Sequence, residues 1–203
     1  MTSIEMLREF KVGMDKIDSS SYPEIYDEQI FMYINRTIDE IVNTGRRVFE
    51  KDSTTTDDLK SLIPEKPVKI LPTSQTEYET YFDLTNQKYL FYIRSYIITQ
   101  VGNNTGRAQV KITQQDDIET LLSDPYNKPK PYRLPITFSR NTITAYSTPD
   151  FKINELYLVF VKKPALVSMT TACDLDEQLH YGIVSRAIQL AEISLGIQNN
   201  KQE

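Results

Sequence analysis

Residues 89–112 read YLFYIRSYIITQVGNNTGRAQVKI, and this stretch determines what kind of fold the chain forms. β-Branched and aromatic residues dominate residues 89–99 and recur in residues 107–112, which favours two strands. Between them, residues 102–106 supply glycines and asparagines that tolerate positive φ, so they predict a hairpin turn. The middle of the chain is therefore predicted to form an antiparallel sheet.

Four more segments on both sides of this hairpin have the composition of strands. They are residues 68–70, 135–138, 142–146 and 156–162. Arg140 and Asn141 predict a turn between the second and third of these. The strands follow one another too closely for crossover helices, so we expect a mainly antiparallel sheet.

Helical periodicity marks the first fifty residues. The first helix is predicted from apolar residues at steps of three and four, namely Ile4, Leu7, Phe10, Met14 and Ile17. Residues 19–23 contain three serines and a proline and should break it. Asp27 is then expected to cap a second helix. One face of that helix should carry Ile30, Ile34, Ile38 and Ile41.

The chain returns to helix at its end. Asp174, with Glu177 three positions later, has the spacing of a capping box. An apolar stripe follows, formed by Leu179, Ile183, Ala187, Leu190 and Leu195. Gly196 is placed to terminate this helix.

The order of helices, sheet and helix predicts an α+β fold. The N- and C-terminal helices should form a helical bundle, with a mainly antiparallel β domain inserted between them. We expect residues 1–63 and 174–203 to form the bundle. Residues 64–173 should form the β domain, including a proline-rich arm.

Composition excludes several classes of protein. The chain has 203 residues, 39% of them hydrophobic, and a formal net charge of -5. No apolar run approaches the roughly 18 residues of a membrane span, and the charged N-terminus lacks the apolar core of a signal peptide. The single cysteine, Cys173, fits a reducing compartment. The acidic balance argues against gripping nucleic-acid phosphates over a broad surface.

The strongest candidate for chemistry is a cluster of acids in residues 114–135, QQDDIETLLSDPYNKPKPYRLP. Its carboxylates are Asp116, Asp117, Glu119 and Asp124. A calcium loop would need alternating acids and a glycine at its bend, and this segment has no glycine. Its apolar residues instead predict a short helix that starts at Thr113 or Gln114 and ends at Asp124-Pro125, with the acids favouring its N-terminal dipole.

No other catalytic constellation is evident. His180 is the only histidine, and its proximity in sequence to Cys173 does not make the two a nucleophile and its base. The pairs Arg46-Arg47 and Lys162-Lys163 are too sparse for a nucleic-acid patch. We therefore expect a protein that is not an enzyme and that uses no cofactor and no metal.

The second half of the acidic stretch is predicted to be a stiff, extended arm. Prolines restrict φ and remove backbone donors, so the arm should not join a central strand. Its prolines are Pro125, Pro129, Pro131 and Pro135. Tyr126 and Tyr132 would give it side chains to bury against a neighbouring subunit, at low ordering cost. A surface loop within one subunit is the alternative.

Six blocks of the chain resemble structural proteins of short-tailed, crAss-like phages, in the same order. The most distinctive is QDDIETLLSDPYNKP, residues 115–129. The others are residues 7–18, 22–30, 88–95, 157–165 and 173–191. The last block opens its helix with Leu175-Asp-Glu, where that family often has Leu-Pro-Glu.

The resemblance implies a head-to-tail connector adaptor, or ring protein, in the virion neck, assembled in the host cytoplasm. Its partners would be a homo-oligomeric ring, implied to be a dodecamer, the portal protein, and the tail or the next ring protein. Packaged double-stranded DNA would pass through the lumen without sequence-specific binding. A C-terminal tail implied to bind the portal corresponds to Ile197, Gln198, Asn199, Asn200 and Lys201. Another neck or tail-tube ring component is the alternative, and an enzyme ranks third.

Overall fold

The computed structural model describes residues 1–15, 25–52 and 57–195, and their fold is mixed α+β, as predicted. The helices are α1 (Ser3–Asp15), α2 (Asp27–Asp52), α3 (Ile118–Ser123) and α4 (Glu177–Ser194). The strands are β1 (Val68–Ile70), β2 (Ser74–Gln75), β3 (Glu79–Asp83), β4 (Tyr89–Val101), β5 (Asn104–Ile112), β6 (Arg133–Ser139), β7 (Thr142–Tyr146) and β8 (Lys152–Lys162). The sequence did not predict β2 and β3.

The chain forms two compact units. One consists of Met1–Leu62 and Pro164–Glu203 and carries α1, α2 and α4; the other, Ile63–Lys163, carries the eight strands and α3. The sequence placed the second boundary at residue 173. The connection after β8 instead belongs to the first unit, because the side chain of Asn35 in α2 forms hydrogen bonds with both the amide and the carbonyl of Val167.

The eight strands form one curled sheet in the order β1-β8-β4-β5-β6-β7-β3-β2. Every pair of neighbours is antiparallel except β5 and β6, which are parallel. The predicted, mainly antiparallel pairing is thus confirmed. The exception is the feature on which the candidate site depends.

Two tight hairpins lie where the sequence placed them. β4 and β5 pair as far as Val101 opposite Asn104, and Gly102 between them has a φ of +57°. β6 and β7 pair as far as Ser139 opposite Thr142, and Arg140 adopts a φ of +46°. Two-residue hairpin loops favour left-handed backbone conformations, which glycine adopts without steric cost.

The position of Pro135 contradicts the prediction that the arm's prolines avoid a central strand. Pro135 lies in β6, between β5 and β7. The carbonyls of Tyr132 and Ile136 accept hydrogen bonds from the amides of Gln109 and Thr113, on the side of β5. The intervening backbone nitrogen of Pro135 therefore faces the other side. Pairing with β7 begins only at Ile136. The missing N–H of Pro135 therefore interrupts no ladder bond.

One face of the sheet carries the core of the second unit. Its largest fully buried side chains include Phe82, Phe160, Ile97 and Leu134. Tyr89 closes one side of this core, its ring 5.7 Å from that of Phe160 and 6.0 Å from that of Phe138. The opposite face of β4, β5 and β6 carries Tyr96, Arg107, Gln109, Lys111 and Arg133, together with Ile98 and Pro135.

The N-terminal helices bury a face slightly rotated from the predicted one. In α1, Ile4 is exposed and Met6 is fully buried, while Leu7, Phe10 and Met14 are buried as predicted. Ile17 and the break at residues 19–23 lie outside the described residues. In α2, Val42 rather than Ile41 continues the buried face of Ile30, Ile34 and Ile38. The buried face of α2 also includes Phe31, Thr37 and Gly45.

Both predicted helix caps are wrong by one or two positions. The carbonyl of Tyr26 accepts the first bonds of α2, and Asp27 forms an ion pair with Lys11, with 2.6 Å between Oδ1 and Nζ. In α4 the cap is Asp176, whose Oδ1 accepts from the amide of Gln178 at 3.0 Å. Asp174 instead accepts a hydrogen bond from the amide of Ala165. Several acids fit the cap pattern, and tertiary contacts select among them.

The buried face of α4 also departs from the predicted stripe. Ile183, Ala187 and Leu190 are buried, whereas Leu195 is exposed and Leu179 is half-buried. Gly196, the predicted terminator, lies outside the described residues. None of the helices among the described residues is both long and apolar enough to span a membrane.

We expect Asn35→Ala to lower the free energy of unfolding by about 1–3 kcal/mol, because it leaves two backbone groups of Val167 unpaired. Asn35 Nδ2 donates to the Val167 carbonyl at 3.0 Å, and Oδ1 accepts from the Val167 amide at 2.8 Å. Urea titration would measure the loss. Asn43→Ala, at an exposed position of the same helix, is the matched control and should be nearly neutral. Equal losses in both variants would contradict the bracing role of Asn35.

Candidate functional site

The acidic and proline-rich stretch is the crossover between parallel strands β5 and β6. Parallel neighbours cannot be joined by a tight turn and need a connection of about a dozen residues or more. Here the chain forms a 3₁₀ turn over Gln115–Asp117, then α3, and returns through residues 124–132. The predicted short helix is therefore present, and it ends at Asp124, whose backbone is extended.

The acids of the crossover do not converge on a site. Asp116, Asp117 and Glu119 are exposed, and no group of three or more potential metal ligands lies together anywhere in the described residues. No side chain caps the start of the 3₁₀ turn or of α3. These acids form a solvated surface of the crossover.

Asp124 has a structural use at the end of α3. Its Oδ1 accepts a hydrogen bond from the amide of Tyr126 at 2.9 Å, and its Oδ2 accepts from Asn127 Nδ2 at 2.6 Å. The bond from the Tyr126 amide, followed by that from Asn127, lowers the pKa of the Asp124 carboxyl. The charged form of Asp124 therefore shapes the turn that presents Tyr126.

We expect this turn to loosen in acid. Because the pKa of Asp124 is lower in the folded chain than its ordinary value of 3.8, its contribution is complete above that value. The contribution is lost as pH falls through the folded pKa. The amide proton shift of Tyr126, followed by NMR from neutral pH downward, should report the change. In Asp124→Asn an acceptor remains without titration, so the same acid-dependent step in that variant would contradict the assignment.

The arm is fastened to its own sheet. Pro129 is buried and Pro131 is half-buried. The carbonyl of Pro131 accepts a hydrogen bond from Thr99 Oγ1 at 2.7 Å, and that of Tyr132 accepts from the amide of Gln109 at 2.8 Å. Stiff prolines and these two anchors fix the path of the backbone.

The two tyrosine side chains of the arm nevertheless face solvent. Tyr126 is 86% exposed and Tyr132 is 62% exposed. Pro125 is exposed beside Tyr126. Of the five candidate residues of the arm, Pro129 and Pro131 thus serve to hold it, while Pro125, Tyr126 and Tyr132 form an outward surface.

A cluster of cations beside the arm was not predicted from the sequence. A cavity of about 70 Å³ is lined by Lys111, Lys128, Lys130 and Arg133, together with Tyr126 and Tyr132. We call this cavity, with its four cations, the basic cavity. Lys128, Lys130 and Arg133 are close in sequence and were a signal that could have been used. Lys111 joins them only because β5 pairs with β6.

Neither His180 nor Cys173 is arranged for nucleophilic catalysis. His180 is buried, with Nε2 at 3.0 Å from the carbonyl of Leu175, and no described group pairs with its Nδ1. Burial raises the pKa of the Cys173 thiol, which disfavours the reactive thiolate. Within the described residues no hydrogen bond joins the two side chains. Arg46, from one of the sparse basic pairs, forms an ion pair with Glu50 at 2.8 Å.

The five residues of the candidate portal-binding tail, Ile197, Gln198, Asn199, Asn200 and Lys201, lie outside the described residues. No protein-family model matches this chain, and no curated protein matches it significantly in sequence.

Proposed function

We propose that this chain is a structural subunit of a phage virion neck, a head-to-tail adaptor that forms a ring beneath the portal. In this proposal the helices of the chain ends form a bundle that bears the β domain. The ring extends the DNA channel and gives the tail a surface on which to dock. The resemblance of six ordered sequence blocks supports this assignment.

The observation that carries the proposal is the arm between β5 and β6. Tyr126 and Tyr132 are large amphipathic side chains held in the open by a backbone that is already fixed. A partner that covers them gains apolar burial and loses little conformational entropy, which is the property of a preorganised interface. We propose that this partner is the neighbouring subunit.

Ring closure places a requirement on the subunit. The contacts in a cyclic ring are heterologous, so the arm must meet a different face of the next copy. We propose a dodecamer, in which residues 197–201 of each copy bind the portal. The far side of the ring would meet the tail or the next ring protein, and duplex DNA would pass through the lumen without sequence readout.

Assembly with the purified portal protein tests the proposal. Mass photometry of the full chain mixed with portal should show a discrete complex of one portal and one ring. A ring is not required of the isolated chain, because subunits of this kind can order only on their partner. A chain that stays monomeric and never binds portal would count against an adaptor.

Averaged density of the portal–tail junction in virions would then locate the protein. Density next to the portal supports the adaptor. Density in a more distant ring supports the alternative, another neck or tail-tube component, whereas absence from the neck would reject both.

A further inference from the structure

The basic cavity is unusual for a chain with a formal net charge of -5. All four of its cations are exposed, and none forms an ion pair with a carboxylate of the described residues. Like charges in one small cavity repel one another, so the site is electrostatically incomplete. A bound anion would relieve that repulsion.

The size and lining of the cavity restrict that anion. A volume of about 70 Å³ is several times the roughly 10–15 Å³ that one water molecule needs, so the cavity has room for one phosphate group. No acid lines the cavity. Asp117 and Asp124 line the adjoining, wider groove of about 430 Å³ on the α3 side, which shares Lys111, Leu121 and Asn127 with the cavity.

The positive charge continues from the cavity along the sheet. Gln109 lies opposite both Tyr96 in β4 and Arg133 in β6, so these side chains share a face. Arg107 and Lys111, two residues before and after Gln109 on β5, lie on the same face. At about 3.4 Å per residue, they extend the basic strip over about 14 Å.

Acidic side chains on this face lie away from the strip. Glu155 is held by Lys69, with 2.5 Å between its Oε1 and Nζ, and Glu79 and Asp83 lie on β3, two strands beyond β6. The guanidinium of Arg107 lies 3.8 Å from the ring centre of Tyr96, which holds it over the sheet. The strip therefore combines fixed and flexible cations.

The composition of the strip favours a phosphate backbone over a protein carboxylate. Lysine is depleted from the cores of protein interfaces, and three of the four cavity cations are lysines. The strip offers hydrogen-bond donors on Arg107, Gln109, Lys111 and Arg133, as expected for contacts to DNA phosphates. Its charge complements a polyanion rather than a single acid.

We propose that the four cations of the basic cavity, with Arg107 on the adjoining face of β5, bind the phosphate backbone of duplex DNA without reading its sequence. The rings of Tyr126 and Tyr132, which the proposed subunit contact covers, take no part in this DNA contact. The identification of this DNA as the genome in the channel rests on the proposed function. The phosphate contact itself stands on the charge and geometry described above. This proposal also refines the expectation that an acidic chain does not bind nucleic-acid phosphates over a broad surface, because the chain has a local basic site despite its negative net charge.

Fluorescence anisotropy of the full chain with a short duplex of random sequence tests this inference. The wild-type chain should bind, with an affinity that falls as salt rises, by a log–log slope of about −0.9 for each phosphate contacted. In the double variant Lys130→Gln/Arg133→Gln, we expect weaker binding and a slope smaller in magnitude by about two. Far-UV circular dichroism would verify that this exposed pair of changes leaves the fold intact.

The matched control is Lys66→Gln/Arg47→Gln, which removes one lysine and one arginine at exposed positions that are not part of the strip. It should keep the wild-type slope. No binding by the wild-type chain at low salt, or equal losses in the two double variants, would overturn the proposal. So would competition by polyglutamate that is stronger than that by unlabelled duplex, which would indicate an acidic protein partner.

Portal binding, measured separately by mass photometry, distinguishes this inference from the proposed function. DNA binding that survives in a chain unable to bind portal would reject the adaptor and keep the phosphate site. A chain that assembles on portal but does not bind DNA would reject only the phosphate site.

Discussion

Phe160→Ala is expected to lower the free energy of unfolding by about 3–5 kcal/mol, the largest stability effect that we predict. Phe160 is fully buried in β8, with β1 on one side and β4 on the other, and its ring packs against Tyr89 at 5.7 Å. Truncation removes its apolar burial and leaves a cavity that the surrounding sheet cannot close. Domains of this size are stable by about 5–15 kcal/mol, so the variant would lose a large part of that margin.

Guanidinium titration followed by tyrosine fluorescence and circular dichroism would measure the change, since the chain has no tryptophan. Tyr126→Ala is the matched control because it truncates an aromatic ring that is already exposed. We expect that variant to stay within about 0.5 kcal/mol of wild type. A loss below 1 kcal/mol for Phe160→Ala would mean that the core is not packed as described.

The double variant Tyr126→Ala/Tyr132→Ala is expected to weaken ring assembly on the portal by roughly a hundredfold or more. Tyrosines at the centre of an interface each contribute about 2 kcal/mol or more, and 1.4 kcal/mol corresponds to tenfold in affinity. The stability of the subunit should be unchanged, because both rings face solvent in the isolated chain. Mass photometry over a series of subunit concentrations would give the shift.

Tyr78→Ala/Tyr181→Ala provides the control for this test. Both side chains are more than half exposed, and neither lies on the arm. If the control weakens assembly as much as the arm variant, the arm has no special role. If neither variant affects assembly, the arm is a surface loop within one subunit, and the proposed ring contact does not involve it.

Elements with a strong local signal were predictable from the sequence. The hairpins at Gly102 and Arg140 were found because two-residue turns need backbone conformations that few residues favour. The three long helices were found from their apolar period. The caps of these helices were not predicted correctly. Asp174 and Asp176 have the same chemistry and differ only in their partners, which are the amide of Ala165 for Asp174 and the amide of Gln178 for Asp176.

The candidate site was predictable in part. Prolines and tyrosines in residues 125–132 indicated a stiff arm with rings to present, and Tyr126 and Tyr132 are indeed exposed. No local pattern predicted that Pro129 anchors the arm. Nor did any predict that Lys111 joins Lys130 and Arg133 at a single cavity. These residues come together across strands rather than along the chain.

The sequence alone determined the mixed α+β class and the positions of the long helices and hairpins, because apolar periodicity and turn residues act over a few neighbouring residues. Only the tertiary structure decided that β5 and β6 run parallel, which caps are used, and where the unpaired cations gather. Strand pairing is a contact between distant segments, and its free energy depends on which side chains meet on each face of the sheet.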